Sequence, residues 1–117
     1  MSSVVHEFDA REGGPFRVSL TYDDSGLSGK TRGHTDTYHG RFAKLVRNRQ
    51  VVEILEFETD DPNLAGAMTV RTMLTDAPGG TEVTVEYEGL PPGVSVADNE
   101  TGTRMALDKL AVLLERR

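Results

Sequence analysis

TEVTVEYEGLPPGVSVADNETGTRMALDKLAVLLE, residues 81–115, changes period half-way along, and that change decides the fold. In its first part Val83, Val85 and Tyr87 alternate with Glu82, Thr84, Glu86 and Glu88. Alternation with period two makes a strand with one buried and one wet face. Gly89-Leu90-Pro91-Pro92-Gly93 then interrupts the chain, and such a run suits neither strand nor helix interior. Beyond it the apolar residues fall at helical spacing. Leu107, Leu110, Ala111 and Leu114, flanked by Ala106 and Leu113, form one stripe. Ser95 is placed to cap this helix, which runs to about Glu115. Asp98 lies in its first turns and Arg116-Arg117 at its end, as the helix dipole favours. Gly102 interrupts it at about 1 kcal/mol relative to alanine unless close packing uses the missing side chain.

Working back toward the N-terminus, the same alternation recurs. Phe16, Val18, Leu20 and Tyr22 oppose Arg17, Ser19 and Thr21, while Met68, Val70, Thr72 and Leu74 share one face of a later segment. Val51, Leu55 and Phe57 share a face with Glu53, with Val52 and Ile54 opposite. The expected strands span about 4–9, 15–22, 35–47, 50–58, 66–75 and 81–89. Turn chemistry separates them: Gly13-Gly14-Pro15, Asp23-Asp24-Ser25-Gly26, Asn48-Arg49, Asp60-Asp61-Pro62-Asn63 and Pro78-Gly79-Gly80. Short connections imply antiparallel hairpins. The expectation is a single α+β domain over 1–117. About six antiparallel strands form a curved sheet, and one long C-terminal helix grips its concave face through Leu107, Leu110 and Leu114.

Composition narrows the function. With 117 residues there is room for one modest core. A mean hydropathy of −0.40 and short apolar runs leave no segment near the ~20 residues that cross a bilayer. Absence of cysteine excludes disulfides, thiol catalysis and thiolate metal sites. With no signal-peptide pattern at the N-terminus, a cytoplasmic location is expected. The net charge of −6 argues against general nucleic-acid binding. Charge is uneven, however: residues 1–50 carry a net +2 and residues 51–117 a net −8. The basic part centres on Arg41, Lys44, Arg47 and Arg49, which suits a solvated strand face beside an acidic neighbour.

Few motifs carry chemistry. Gly26-Leu27-Ser28-Gly29-Lys30-Thr31 has Asp24 where a phosphate loop needs its first glycine, and a strand follows where that loop needs a helix. His34, Asp36 and His39 cannot all share one face of a strand, so no metal or other cofactor is expected. His6 is isolated, and Asn99-Glu100-Thr101 is a sequon in helical context. Glu53 and Arg71 stand out in otherwise apolar strands. Turned inward together they would orient a ligand; turned outward they are ordinary solvated charges.

Several segments resemble a known family. They are Glu7 to Arg17, Thr37-Tyr38-His39-Gly40-Arg41-Phe42, Val52-Glu53, Gly79-Gly80-Thr81, and Gly89-Leu90-Pro91-Pro92-Gly93 leading into Met105 to Leu110. The chain resembles the SRPBCC superfamily (START and birch-pollen-allergen-like), and within it the heat-shock chaperone ATPase activator homologues. The resemblance implies a helix-grip fold with a cavity for an apolar ligand between sheet and helix. Its lining candidates on the strands are Phe16, Val18, Leu20, Met68, Val70, Leu74 and Val85. On the helix they are Met105 and Leu110, with Glu53 and Arg71 as polar candidates. All the apolar ones serve equally as plain core. Such proteins usually open with one more strand and two short helices, and this sequence begins where their second strand begins. Two sheet edges are therefore expected to be open, which favours a homodimer.

Three functions compete. The first is a non-enzymatic module that binds a small apolar or amphipathic molecule. The second is a protein-interaction module of the chaperone-activator type, acting in the stress response. The third is a cavity enzyme, a cyclase or hydrolase, for which no nucleophile or matched acid–base pair is evident.

Overall fold

The computed structural model describes residues 2–21 and 35–115. The Asp23–Gly26 turn, the Gly26–Thr31 stretch, Tyr22, His34 and Arg116-Arg117 lie outside the described residues. Among those described, six strands form one antiparallel sheet in sequence order, followed by a helix. They are β1 (Ser2–Phe8), β2 (Pro15–Thr21), β3 (Thr35–Val46), β4 (Gln50–Phe57), β5 (Met68–Ala77), β6 (Gly80–Glu88) and α1 (Val96–Glu115). The α+β arrangement read from the period change, a helix-grip fold as the resemblance implies, is the one observed. No helix among the described residues is long and apolar enough to cross a membrane.

The turns follow their residues. Pro78-Gly79 closes the β5–β6 hairpin, with Gly79 at φ 77° as a type II turn requires. Asn48 takes φ 63° between β3 and β4, a conformation that asparagine tolerates better than most residues. At Gly13-Gly14 the backbone pairs with Phe42 in both directions, which fixes that ring over the sheet.

Register places the apolar residues on one face. Phe16, Gly40, Leu55 and Met68 form one row across four strands, and Phe42, Glu53, Val70 and Tyr87 form the next. Phe16, Phe42, Leu55, Met68 and Val70 are the buried core, and Tyr38, Leu45, Val51, Phe57, Val85, Tyr87 and Leu90 pack around them. Gly40 is required here. A Cβ at this position would lie 2.1 Å from the Ile54 carbonyl oxygen, so only glycine lets β3 and β4 close.

The helix starts as its sequence directs. The Asp98 amide donates to Ser95 Oγ at 3.2 Å, and the Asn99 amide to the Ser95 carbonyl. Just before it, Val94 is buried and Gly93 donates to the Asn63 carbonyl, anchoring this end to the β4–β5 loop. The expected contact face needs correction. No residue of α1 is buried, and Leu110 and Leu114 are 41% and 51% exposed. The less exposed line is Asn99, Thr103, Leu107 and Ala111, a ridge of four-residue steps. Of the expected gripping residues only Leu107 lies on it. An apolar arc fixes the side of a helix that turns inward, but not the ridge within it that makes contact. Here a polar contact from Tyr87 to Thr103 selects the ridge.

Candidate functional site

Among the polar side chains on the apolar inner face are Tyr38 on β3, Glu53 on β4 and Tyr87 on β6. Strand alternation puts them there, since each shares its parity with core neighbours such as Phe42, Leu55 and Val85. Tyr87 is tied to the helix. Thr103 Oγ1 donates to the Asn99 carbonyl at 2.9 Å, so the Tyr87 hydroxyl donates in turn to Thr103 Oγ1 at 2.5 Å.

Tyr38 and Glu53 are different. Among the described residues neither makes a hydrogen bond or an ion pair. No buried side-chain oxygen or nitrogen among the described residues is left without a partner. The Glu53 carboxyl and the Tyr38 hydroxyl, which have none, therefore open onto accessible space on the inner face. Both titrations are displaced. Burial pushes the Glu53 carboxyl above its ordinary value. Burial, then the Glu53 charge, then Tyr87 push the Tyr38 hydroxyl up to about 12. In each case the low-dielectric surroundings disfavour the charged form.

The outer face holds a second polar group. Arg17 grips Glu58 with two bonds, Nε to Oε2 at 2.7 Å and Nη2 to Oε1 at 2.9 Å. His39 lies between two carboxylates, Nδ1 at 3.1 Å from Glu58 and Nε2 at 3.1 Å from Glu56. The Arg17 bond, with a smaller contribution from His39, holds the Glu58 carboxyl down at about 2. His6 Nε2 continues the polar surface to Ser19, which bonds Thr37. No group of three or more His, Cys, Asp or Glu among the described residues is arranged to hold a metal. Asp36 faces inward, opposite Leu20, whereas His39 faces outward.

Comparison with known proteins fits this architecture. Residues 1–115 match the family model described as Activator of Hsp90 ATPase homolog 1-like protein. The chain belongs to that family. The heat-shock activator branch expected from the sequence is thus borne out. No curated protein gives a significant match. Among solved structures, protein CV1439 from Chromobacterium violaceum matches with a TM-score of 0.79 and 23% identity. The match covers 95% of this chain and 70% of that one. At this identity it shows the fold alone.

Within this activator-homologue fold the expected lining residues divide. Phe16, Met68 and Val70 are buried in the core, and Val18, Leu20, Leu74 and Val85 are partly buried on the same inner face. Met105 and Leu110 on α1 are largely exposed. The Glu53–Arg71 pair does not form. Val70 pairs with Glu53, so Arg71 must point to the outer face, where Nη1 meets Glu88 Oε1 at 3.1 Å. The alternation of Met68, Val70 and Thr72 already carried that information. Tyr38 and Thr103 were not singled out. Tyr38 was signalled by its parity with Phe42, whereas Thr103 needs the three-dimensional contact with Tyr87.

Proposed function

We propose that the protein is a non-enzymatic binding module that holds a small apolar or amphipathic molecule between the concave face of the sheet and α1. One observation carries this reading: an apolar inner face bears a carboxyl and a hydroxyl without partners, both open to accessible space. Sites of this kind combine apolar walls with a few polar groups that fix orientation. The loosely covered helix suits entry, because no α1 side chain must leave a sealed core to admit a guest. Tyr87 and Thr103 already commit their protons to a chain that ends on a main-chain carbonyl, which is a structural use. The test is native mass spectrometry of the purified protein, followed by titration with an environment-sensitive apolar dye. A retained mass displaced by the dye is the expected result. A folded protein that neither retains nor takes up an apolar molecule overturns the reading.

A second reading is favoured by α1 itself. Val112 and Leu113 are each more than 60% exposed beside Met105 and Leu110, and exposed apolar area marks protein contacts. The family description names the Hsp90 ATPase. A change in that ATPase rate on adding the protein, lost in Leu113→Glu, supports this role.

A further inference from the structure

The charges of the sheet are sorted by face in a way that bears on the guest. Register puts every basic side chain of the described strands outside: Arg17 opposite His39, Arg41 opposite Ile54, and Lys44 and Arg71 each opposite Val52. Three carboxylates of the described strands fall on the inner parity, of which Asp76 is exposed beside the β5–β6 turn. Asp36 is 1% exposed and has a partner. Glu53 has none and reaches accessible space. Moving a carboxylate out of water without a counter-charge is unfavourable. Among the described strand residues the inner face supplies no cation to offset this.

The surroundings of Glu53 are aromatic. Phe42 is its cross-strand partner on one side. On the other, Val70 is its partner, with Tyr87 next in the same row. Tyr38 is close enough to feel the Glu53 charge. Aromatic ring faces carry negative potential and attract cations, most strongly where water is excluded. A carboxylate set among such rings complements an ammonium group. A ligand carboxylate or phosphate would meet repulsion from Glu53, with no inward base among the described strand residues to relieve it. An apolar alcohol would gain a hydrogen bond only.

We infer that the molecule held on the inner face is an amphipathic amine, its ammonium paired with Glu53 among the Phe42, Tyr38 and Tyr87 rings and its apolar body lying along the strands. This rests on the proposal above that the inner face is a ligand site. Binding supplies the counter-charge that the fold omits, so the ligand and the buried carboxylate relieve each other's desolvation.

The experiment uses the full chain and three probes of equal length, octylamine, octanol and octanoate, titrated by calorimetry at neutral pH against wild type and Glu53→Gln. In wild type octylamine is expected to bind about tenfold tighter than octanol, the scale of one cation–π and ion-pair contact, and octanoate weakest. Glu53→Gln should abolish the amine's advantage over octanol. Equal affinity for amine and alcohol in wild type overturns the inference while leaving the apolar site standing, as does an advantage that survives in the variant. If none of the three binds the folded protein, the binding-module reading fails and the inference with it. The wild-type comparison needs no variant, so it decides the matter even if Glu53→Gln folds poorly.

Discussion

Glu53 and Glu58 lie five residues apart, yet they occupy opposite faces of the sheet and opposite electrostatic worlds. Glu58, on the outer face, is gripped by Arg17 and touched by His39, and its carboxyl falls to about 2. Glu53, on the inner face, has apolar neighbours and no partner, and its carboxyl is raised. The same side chain is held charged on one face and penalised for charge on the other. Outside, polar groups satisfy one another next to water; inside, unpaired groups wait on a mostly apolar wall. The contrast separates polarity satisfied within the fold from polarity left unpaired.

The largest expected effect tests whether the inner face really carries the fold. Phe16 is 2% exposed and packs on Phe42 with ring centroids 5.0 Å apart. Phe16→Ala should cost about 3–5 kcal/mol in urea unfolding. Its neighbour Arg17 faces outward, with its side chain 44% exposed. Pairs this exposed contribute little, so Arg17→Met should move the unfolding midpoint only slightly. Equal losses from the two would break the distinction between the faces.

The next effect is on pH dependence, where the two glutamates should act in opposite directions. Both start from an ordinary value of 4.5. Between 4.5 and about 2 the unfolded chain binds the Glu58 proton and the native chain does not. Glu58 therefore adds stability above 4.5, which is lost as the pH falls toward 2. For Glu53 the native state holds the proton longer, so stability declines as the pH rises above 4.5. Urea midpoints measured across this range should show Glu58→Gln flattening the acid limb and Glu53→Gln flattening the limb above it. If both variants move the same limb, the two carboxylates do not differ as described.

How far this contrast was legible in the sequence depends on the range of each contact. The strands, their faces and the Ser95 cap are local matters, and period two or 3.6 announces them. The outward turn of Arg71 was equally readable, because Val70 and Thr72 flank it on the apolar parity. The Arg17–Glu58 grip spans 41 residues and depends on register across three strands, which no local pattern specifies. Tyr87 meeting Thr103 depends on the angle at which the helix crosses the sheet. Nothing in the helical period distinguishes that ridge from the richer one through Leu110 and Leu114.

The helix itself offers smaller effects, and they sharpen where the inner face ends. A Cβ at Gly102 meets nothing within 4 Å, so Gly102→Ala should stabilise by about 1 kcal/mol through helix propensity alone. Leu110→Ala should cost less than about 1 kcal/mol, well under the 2–5 of a buried leucine, because Leu110 is 41% exposed. A loss within the buried range would show that α1 closes on the sheet in solution.

The smallest effect on stability concerns β1, where the difference between the faces disappears. Every residue of β1 is exposed: Val4, opposite Ser19 on the outer face, as much as Val5, opposite Val18 on the inner. Among the described residues β1 and β6 are the two edges of the sheet, and an open edge invites another strand. The edges differ in charge. Two β6 strands would bring Glu82, Glu86 and Glu88 against their copies, and like charges across a strand pair are unfavourable. Two β1 strands bring together mostly serine and valine, with His6 and Glu7 the only ionisable side chains. A second copy docking β1 against β1 is therefore the expected assembly, burying Val4 and Val5 in one step. Lysine is a common guard of sheet edges. Val4→Lys should change the stability of the separate chain by no more than about 0.5 kcal/mol, as exposed substitutions do. In light scattering over a micromolar concentration series, wild type should associate and Val4→Lys should remain a single chain. A wild type that stays monomeric throughout would mean that β1 is guarded within its own chain, and that its exposed valines serve no assembly.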